Sequence, residues 1–385
     1  MEQYAQRLAS ISAFKAMKVL DRAKALEALG RRVIHLEVGE PDFATPAPIV
    51  AAAKRALDSG QTKYTPAPGI PELRAAIADH YQSDYGVEVD SQRIFVTAGG
   101  SGALLLTMAL LIDPGDGVLM TDPGYPCNPN FVHSFNGVAQ RVPVTASNNY
   151  QLSAASVARH WQDNTRAALV ASPANPTGSV LQLAELQDIA NEVQRRSGFL
   201  IVDEIYHGLD YSEASLPTAL EVGAIVLNSF SKFFGMTGWR LGWLIVPESA
   251  VPAVEKLAQN LFICPSAISQ RAALAAFTPE AKAIMLSQRS AFAERRDLLL
   301  DGLRKLGFGV PITPAGAFYV YAELPASWTA DSESFCRLLL EEQGIAITPG
   351  TDFGTYQADR HVRLSYANEL GALEEALAGI ARMLQ

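Results

Sequence analysis

Cysteine is scarce: Cys127, Cys264 and Cys336 are the three in the chain, far apart, odd in number and without a CxxC pair. That spacing offers neither a disulfide framework nor a zinc site, so no metal is expected and a reducing compartment fits. Long apolar runs are missing as well. The longest, over 103–112, falls far short of the ~20 residues that a membrane-spanning helix requires. The first 24 residues hold no basic region leading into an apolar one, which argues against a secretory signal. Positive charge is not in excess either: the formal net charge is −9, whereas a nucleic-acid binder normally carries a basic patch. No internal repeat or disordered linker stands out. The expectation is a cytoplasmic protein that binds neither membrane nor nucleic acid.

What the chain does have is apolar pattern. Its length suggests about two domains. Helical spacing of Ala13, Met17, Leu20, Ala23, Leu26 and Leu29 predicts one or two helices over 1–30. Further helices are expected over 48–57 and 72–85, separated by a rigid loop with three prolines and a glycine over 64–71. Apolar strands then alternate with helices. Strands are predicted over 94–97, 117–121, 138–142, 167–171, 199–202, 224–227 and 243–246. Helices are predicted over 102–112, 128–135, 153–160 and 183–196. This alternation implies parallel crossovers and an α/β sheet covered on both faces. After about residue 280 the pattern changes to a long helix (281–306), strands over 318–323 and 361–364, and helices over 334–343 and 370–384. This reads as a smaller α+β domain that also takes in the N-terminal helix.

The polar residues gather at predicted strand ends, where open α/β sheets bind ligands. Between the strands 224–227 and 243–246 lie Ser229, Ser231, Lys232 and Arg240, set among Phe230, Phe233, Phe234, Trp239 and Trp243. A lysine desolvated by aromatic neighbours has a lowered pKa and a nucleophilic amine. Serine hydroxyls and an arginine are equipment for holding a phosphate. Together they suggest a lysine that forms a Schiff base with a phosphorylated carbonyl compound; an ordinary loop lysine is the competing account. Gly99, Gly100, Ser101 and Gly102 link a strand to a helix, as an anion cradle or simply as a tight turn.

Asp203 and Tyr206 follow a buried strand, and Asp203 there suits a protonated ring nitrogen. In the loop from Ser172 to Gly178, two prolines and a glycine preorganise the Asn175 amide, and a cis Asn175–Pro176 bond is expected. Tyr125, in another strand-end turn, is placed to stack on a flat ring. Arg363 sits inside an apolar strand and requires an anionic partner, either a substrate carboxylate or a structural acid. Each group taken singly also fits a structural role; all of them at strand ends of one chain is an improbable accident.

The combination of Gly39-Glu40-Pro41-Asp42-Phe43, Lys63-Tyr64, Asn175-Pro176-Thr177-Gly178, Val202-Asp203-Glu204-Ile205-Tyr206, Ser229-Phe230-Ser231-Lys232 with Gly238-Trp239-Arg240, and Val362-Arg363-Leu364-Ser365 resembles the class I/II aminotransferases, which are fold type I pyridoxal-phosphate enzymes. The nearest resemblance is to the bacterial aspartate-aminotransferase-like branch, over nearly the whole chain. The resemblance implies a large domain (45–280) with a mainly parallel seven-stranded sheet covered by helices. It also implies a small α+β domain from 1–44 and 281–385.

It implies pyridoxal 5′-phosphate held as an aldimine on Lys232, which also shuttles the proton. Asp203 would lie on the pyridine nitrogen, Asn175 and Tyr206 on the ring oxygen, and Tyr125 on the ring face. Gly100, Ser101, Gly102, Ser229, Ser231 and Arg240 would surround the phosphate. Arg363, Gly39, Asn175 and Tyr125 would receive the substrate. Tyr64 would reach the phosphate of a neighbouring subunit, implying a homodimer with shared active sites.

The implied reaction is reversible amino transfer between an L-amino acid and a 2-oxo acid, 2-oxoglutarate or pyruvate being candidates. A PLP-dependent C–S β-lyase and a non-catalytic PLP-binding regulatory module are the alternatives. Two departures bear on substrate. Ser101 stands in the loop where one aspartate-specific bacterial branch has a lysine for the distal carboxylate, and Tyr125 stands where many relatives carry tryptophan.

Overall fold

The computed structural model describes residues 4–212 and 216–385; residues 1–3, the start of the predicted N-terminal helical segment, lie outside them. Twelve strands are present among the described residues: β1 Ile34–His35, β2 Ile94–Thr97, β3 Gly117–Asp122, β4 Val138–Pro143, β5 Thr165–Ala171, β6 Phe199–Asp203, β7 Ile225–Ser229, β8 Gly242–Ile245, β9 Tyr319–Glu323, β10 Ile345–Ala346, β11 Thr348–Pro349 and β12 His361–Ser365. Seven of them form one sheet in the order β2-β8-β7-β6-β5-β3-β4. The pairings β3/β4, β3/β5, β5/β6 and β6/β7 are parallel, whereas β8 runs antiparallel to both β7 and β2.

Alternate residues of each central strand point to opposite faces, and both faces are apolar. Leu119, Ala168, Val170, Leu200, Val202 and Val226 enter one core with Leu73, Ile77, Leu186 and Ile189 of covering helices. Val118, Met120, Ala167, Leu169, Ile201, Ile225 and Leu227 enter the other, beneath Leu104, Leu106 and Met108 of the Gly99–Leu111 helix and Val254 and Ala258 of the Val251–Leu261 helix. Burial on both sides explains why these strands read as continuous apolar runs. The Val251–Leu261 and Ala267–Ala273 helices were not anticipated from sequence. The helix expected from residue 102 begins at Gly99, which makes Gly100 and Ser101 first-turn residues.

The C-terminal part builds a three-stranded antiparallel sheet, β11-β12-β9, in which Arg363 lies opposite Tyr321 on one side and Thr348 on the other. The Pro279–Lys305, Ser332–Gln343 and Leu370–Met383 helices pack with it. The N-terminal segment joins this unit. Strand β1 pairs in parallel with β10, and Asp352 accepts hydrogen bonds from the backbone N–H groups of Lys15 (2.7 Å) and Ala16 (3.1 Å). Asp352 thereby caps the Lys15–Ala28 helix with a carboxylate, as the helix dipole favours.

At the start of the connection from β1 to the site, His35 holds a buried acid. Its Nδ1 is 2.8 Å from Glu37 Oε1, and its Nε2 is 3.2 Å from Glu27 Oε1. The Glu37 carboxylate is fully buried and its Oε2 has no partner. Hydrogen bonding to Glu37 raises the imidazole from 6.5 to about 9, against the opposing effect of burial. A folded-state value above the unfolded one stabilises the fold fully below about pH 6.5, and the contribution fades as pH rises through about 9. His35→Gln should therefore lower the urea midpoint more at about pH 6 than at about pH 10. An equal loss at both would show that the ion pair contributes nothing.

Candidate active site

The C-terminal ends of β3, β5, β6 and β7 open on one cavity of about 220 Å³. Gly39, Gly100, Ser101, Tyr125, Asn175, Asp203, Tyr206, Ser231, Lys232, Arg240 and Arg363 all line it. Residues expected at one site from sequences up to 324 positions apart are thus brought together. Three of the expected residues are not on the wall. Gly102 is buried one step deeper, where a Cβ would press on Thr97 and Ala98 at 3.3 and 3.4 Å. Ser229 is buried behind Ser231, its Oγ 2.9 Å from Ser231 Oγ and bonded to the Leu241 carbonyl at 3.1 Å. Tyr64 is 82% exposed and lies outside the cavity of its own chain.

Lys232 is carried by the turn between β7 and β8. Phe230, Phe234, Trp243 and Phe277 pack into a cluster behind this turn, with Phe230 and Trp243 centroids 4.9 Å apart. Thr45 ties the turn down by donating to the Gly235 carbonyl (2.7 Å) and accepting from Trp239 Nε1 (3.0 Å). The aromatic neighbours in sequence therefore anchor the loop. The rings nearest Nζ are Tyr206 and Phe318, each 5.9 Å away. Nζ donates to the Gly39 carbonyl. Burial, opposed by Glu40 and Asp203 and reinforced by Arg363 and Arg240, lowers the amine from 10.5 to about 8.

Asp203 ends β6. Its Oδ1 accepts from the Ile205 N–H at 3.0 Å, and no hydrogen bond to Oδ2 is formed among the described residues. Burial raises the carboxyl from 3.8 to about 7, with the Ile205 N–H and Lys232 opposing. A cation placed against this carboxylate would restore its full charge. Tyr206 donates to or accepts from Tyr319 Oη at 2.8 Å. Tyr319 lines the cavity and was not foreseen, because one tyrosine in a strand carries no signal. Its hydroxyl sits where a Cβ on Gly39 would be, 2.1 Å away, so only glycine lets this backbone reach the site.

At one end of the cavity the Gly99–Leu111 helix begins, and its first-turn N–H groups have no intrahelical acceptors. Arg240 lies across this helix start: a Cβ on Gly99 would come within 2.7 Å of its Nη2. Its Nη1 donates to the Thr237 carbonyl at 3.0 Å, and it forms no ion pair among the described residues. With Ser101, Ser231 and Thr237 alongside, this donor set fits a phosphate dianion.

At the other end, Arg363 is 1% exposed, yet it has no carboxylate partner among the described residues. Nη1 donates to Asn175 Oδ1 at 3.0 Å and Nη2 to the Glu37 carbonyl; Nε is buried without a partner. The guanidinium is sandwiched by Tyr319 and Phe353, 4.3 and 4.7 Å from their ring centroids. The Asn175–Pro176 bond is cis, as are Asp122–Pro123 and Ser172–Pro173. Asp42 is structural: it binds Arg295 of the Pro279–Lys305 helix through two bonds of 2.7 and 3.0 Å and so fixes the Gly39 loop.

An α/β unit that gathers a buried lysine, a buried acid and two arginines without carboxylate partners on one cavity has the architecture of a fold type I transferase. The chain belongs to the aminotransferase class I and II family, whose model matches residues 31–380. It is 43% identical over 355 residues to the valine–pyruvate aminotransferase of Mycobacterium tuberculosis, covering 91% of each chain. It is 38% identical over 384 residues to the (5-formylfuran-3-yl)methyl phosphate transaminase of Methanocaldococcus jannaschii, covering 98% of this chain and 99% of that one. Among solved structures, an aminotransferase from M. tuberculosis matches with a TM-score of 0.95 at 41% identity, over 100% of this chain and 99% of the other. Thermus thermophilus aspartate aminotransferase with maleate matches with a TM-score of 0.93 at 35% identity, over 99% and 100%. The protein is a pyridoxal-phosphate-dependent aminotransferase.

The depressed Lys232 amine gives a direct check. In cofactor-free enzyme, the rate at which an amine-selective reagent labels Lys232 should rise with a midpoint near pH 8, and Asp203→Asn should lower that midpoint by removing a neighbouring negative charge. A midpoint above 10, the range of an exposed lysine, would contradict the burial argument.

Proposed function

We propose that Asp203 holds the protonated ring nitrogen of pyridoxal 5′-phosphate, that Asn175 and Tyr206 hold its ring oxygen, and that Tyr125 covers one ring face. Gly100, Ser101, Ser231 and Arg240 take the phosphate, with Gly102 and Ser229 shaping that end from behind. Arg363, Asn175 and the Gly39 backbone hold the α-carboxylate of an L-amino acid. The observation that carries this assignment is the single cavity in which Lys232, Asp203, Arg240 and the unpaired Arg363 face one another.

The bound cofactor supplies a carbonyl that carries the amino group and a ring that accepts an electron pair. Lys232 Nζ removes the proton from substrate Cα and returns one on the reverse course; an amine near 8 is matched to moving protons close to neutral pH. Asp203 keeps the ring nitrogen protonated throughout. Arg363 fixes the substrate by a two-point contact, which leaves Cα within reach of Nζ and discriminates against amines lacking a carboxylate.

The proposal extends to assembly. Tyr64, projecting from its own subunit, reaches the phosphate end of a partner's site in a homodimer. The large domain spans 45–280 and the small one 1–44 with 281–385, a division supported by the pairing of β1 with β10 and by the Asp352 cap. Among the described residues no helix is long and apolar enough to cross a membrane, and the sparse, unpaired cysteines favour the cytoplasm. Pyruvate and 2-oxoglutarate are the proposed acceptors; the name of the valine–pyruvate relative supports the first.

Mixing the pyridoxal form with one amino acid and no oxo acid tests the reading. The cofactor spectrum should shift to the pyridoxamine form with one equivalent of the matching 2-oxo acid released. Continuous release of pyruvate and ammonia from cysteine conjugates would assign β-elimination instead. Lys232→Ala should slow the conversion by about 10³-fold or more; an unchanged rate would remove Lys232 from the mechanism.

A further inference from the structure

Arg363, Lys232 and Arg240 are the cationic side chains that line the cavity. On the reading proposed above each is committed: to the α-carboxylate, to the cofactor carbonyl and to the phosphate. No fourth cation faces the cavity among the described residues, and position 101 is a serine. A second substrate carboxylate would therefore meet no cationic partner from this chain. It would also meet Glu40, which lines the same cavity and adds a like charge.

The wall beyond these groups is apolar. It comes largely from the N-terminal segment: Phe14, Ala16 and Met17, with Val38 beside them. Phe14 meets Tyr125 edge to face with centroids 6.4 Å apart, so this wall starts where the cofactor ring face is expected. Met17 is 46% exposed, a large apolar side chain at the mouth with nearly half of its surface open to a ligand. A flexible thioether in that position adapts to apolar groups of different shape.

The wall is held in register with Arg363. Asp352 accepts from the backbone N–H groups of Lys15 and Ala16, between Phe14 and Met17. The next residue, Phe353, stacks on the Arg363 guanidinium at 4.7 Å. One two-residue step thus connects the group that grips the α-carboxylate to the surface that the side chain would touch. Lys15 Nζ adds contacts to Glu333 (2.5 Å) and Thr351 (2.9 Å), and so is turned away from serving as a distal cation.

From this geometry we infer that Phe14, Met17 and Val38 form the side-chain subsite, and that the enzyme takes monocarboxylic amino acids with apolar side chains in preference to aspartate or glutamate. The inference rests on the aminotransferase reading but is testable apart from it, since binding of unreactive carboxylates reports the subsite without turnover.

Calorimetry on the holoenzyme with 4-methylpentanoate and with succinate, beside single-turnover conversion by leucine, phenylalanine and aspartate, tests the assignment. We expect 4-methylpentanoate to bind at least about tenfold tighter than succinate, and leucine or phenylalanine to react at least about tenfold faster than aspartate at equal concentration. Met17→Lys, at an exposed position that tolerates charge, should shrink both ratios by about tenfold while leaving the Lys232-bound cofactor spectrum unchanged. Equal or tighter succinate binding, or faster reaction with aspartate, would overturn the proposal and point to a cation supplied by another subunit. Ratios untouched by Met17→Lys would remove Met17 from the subsite. If the carboxylates rank as expected but no amino acid converts the cofactor, the subsite stands and the reaction assignment fails.

Discussion

A guanidinium buried without a counter-ion is the constraint on which the rest of the site depends. Arg363 makes its hydrogen bonds to neutral acceptors, the Asn175 amide, the Glu37 carbonyl and the Thr348 hydroxyl, and keeps its Nε unpaired. Burying a charge in this way costs several kcal/mol unless something repays it. The fold meets part of the cost with the two aromatic faces of Tyr319 and Phe353. The remainder is what a carboxylate ligand would relieve. Holding such a charge requires rigid surroundings, and they come from four parts of the chain: the segment after β1, the loop after β5, strand β9 and the loop before β12.

The same charge sets the chemistry a few ångströms away. Arg363 and Arg240 both push the Lys232 amine down, adding to burial, while Asp203 and Glu40 hold it up. The short stretch from Glu37 to Gly39 serves both ends, with one carbonyl toward Arg363 and the other toward Lys232. His35 secures that stretch by pairing with the Glu37 side chain, and Arg295 secures its far side through Asp42. The guanidinium and the amine are therefore coupled through a few residues of backbone, so a carboxylate that neutralised Arg363 would also remove one of the charges depressing Lys232.

Much of this was legible in the sequence, for physical reasons. The central strands are buried on both faces and so appear as apolar runs, and the polar residues that follow them stand out against that background. Lys232, Asp203, Asn175 and Arg240 stand out in this way and Arg363 as a charge inside an apolar strand, and the structure places all five on one cavity. What escaped notice has no local signature. Strands β10 and β11 are two residues each, too short to show a period. Tyr319, Phe14 and Met17 look like core or surface residues until the fold turns them toward the cavity. Ser229 and Ser231 are two apart with the same chemistry, and only the backbone at the end of β7 decides that Ser231 faces inward. The aromatic cluster around Phe230 fixes the loop, while Tyr206 and Phe318, distant in sequence, are the rings beside the amine that burial depresses.

On the proposed assignment, the Arg363 charge stays unpaired until a substrate carboxylate arrives. The most direct measurement is the rise in melting temperature that a saturating monocarboxylate ligand gives to the wild-type holoenzyme and to its Arg363→Met variant. A clear upward shift is expected in the wild type, by mass action on the folded state, and none in the variant, whose melting temperature without ligand stays close to that of the wild type. A variant that melts far lower on its own but keeps the ligand shift would show that Arg363 is a structural residue and that the carboxylate binds elsewhere.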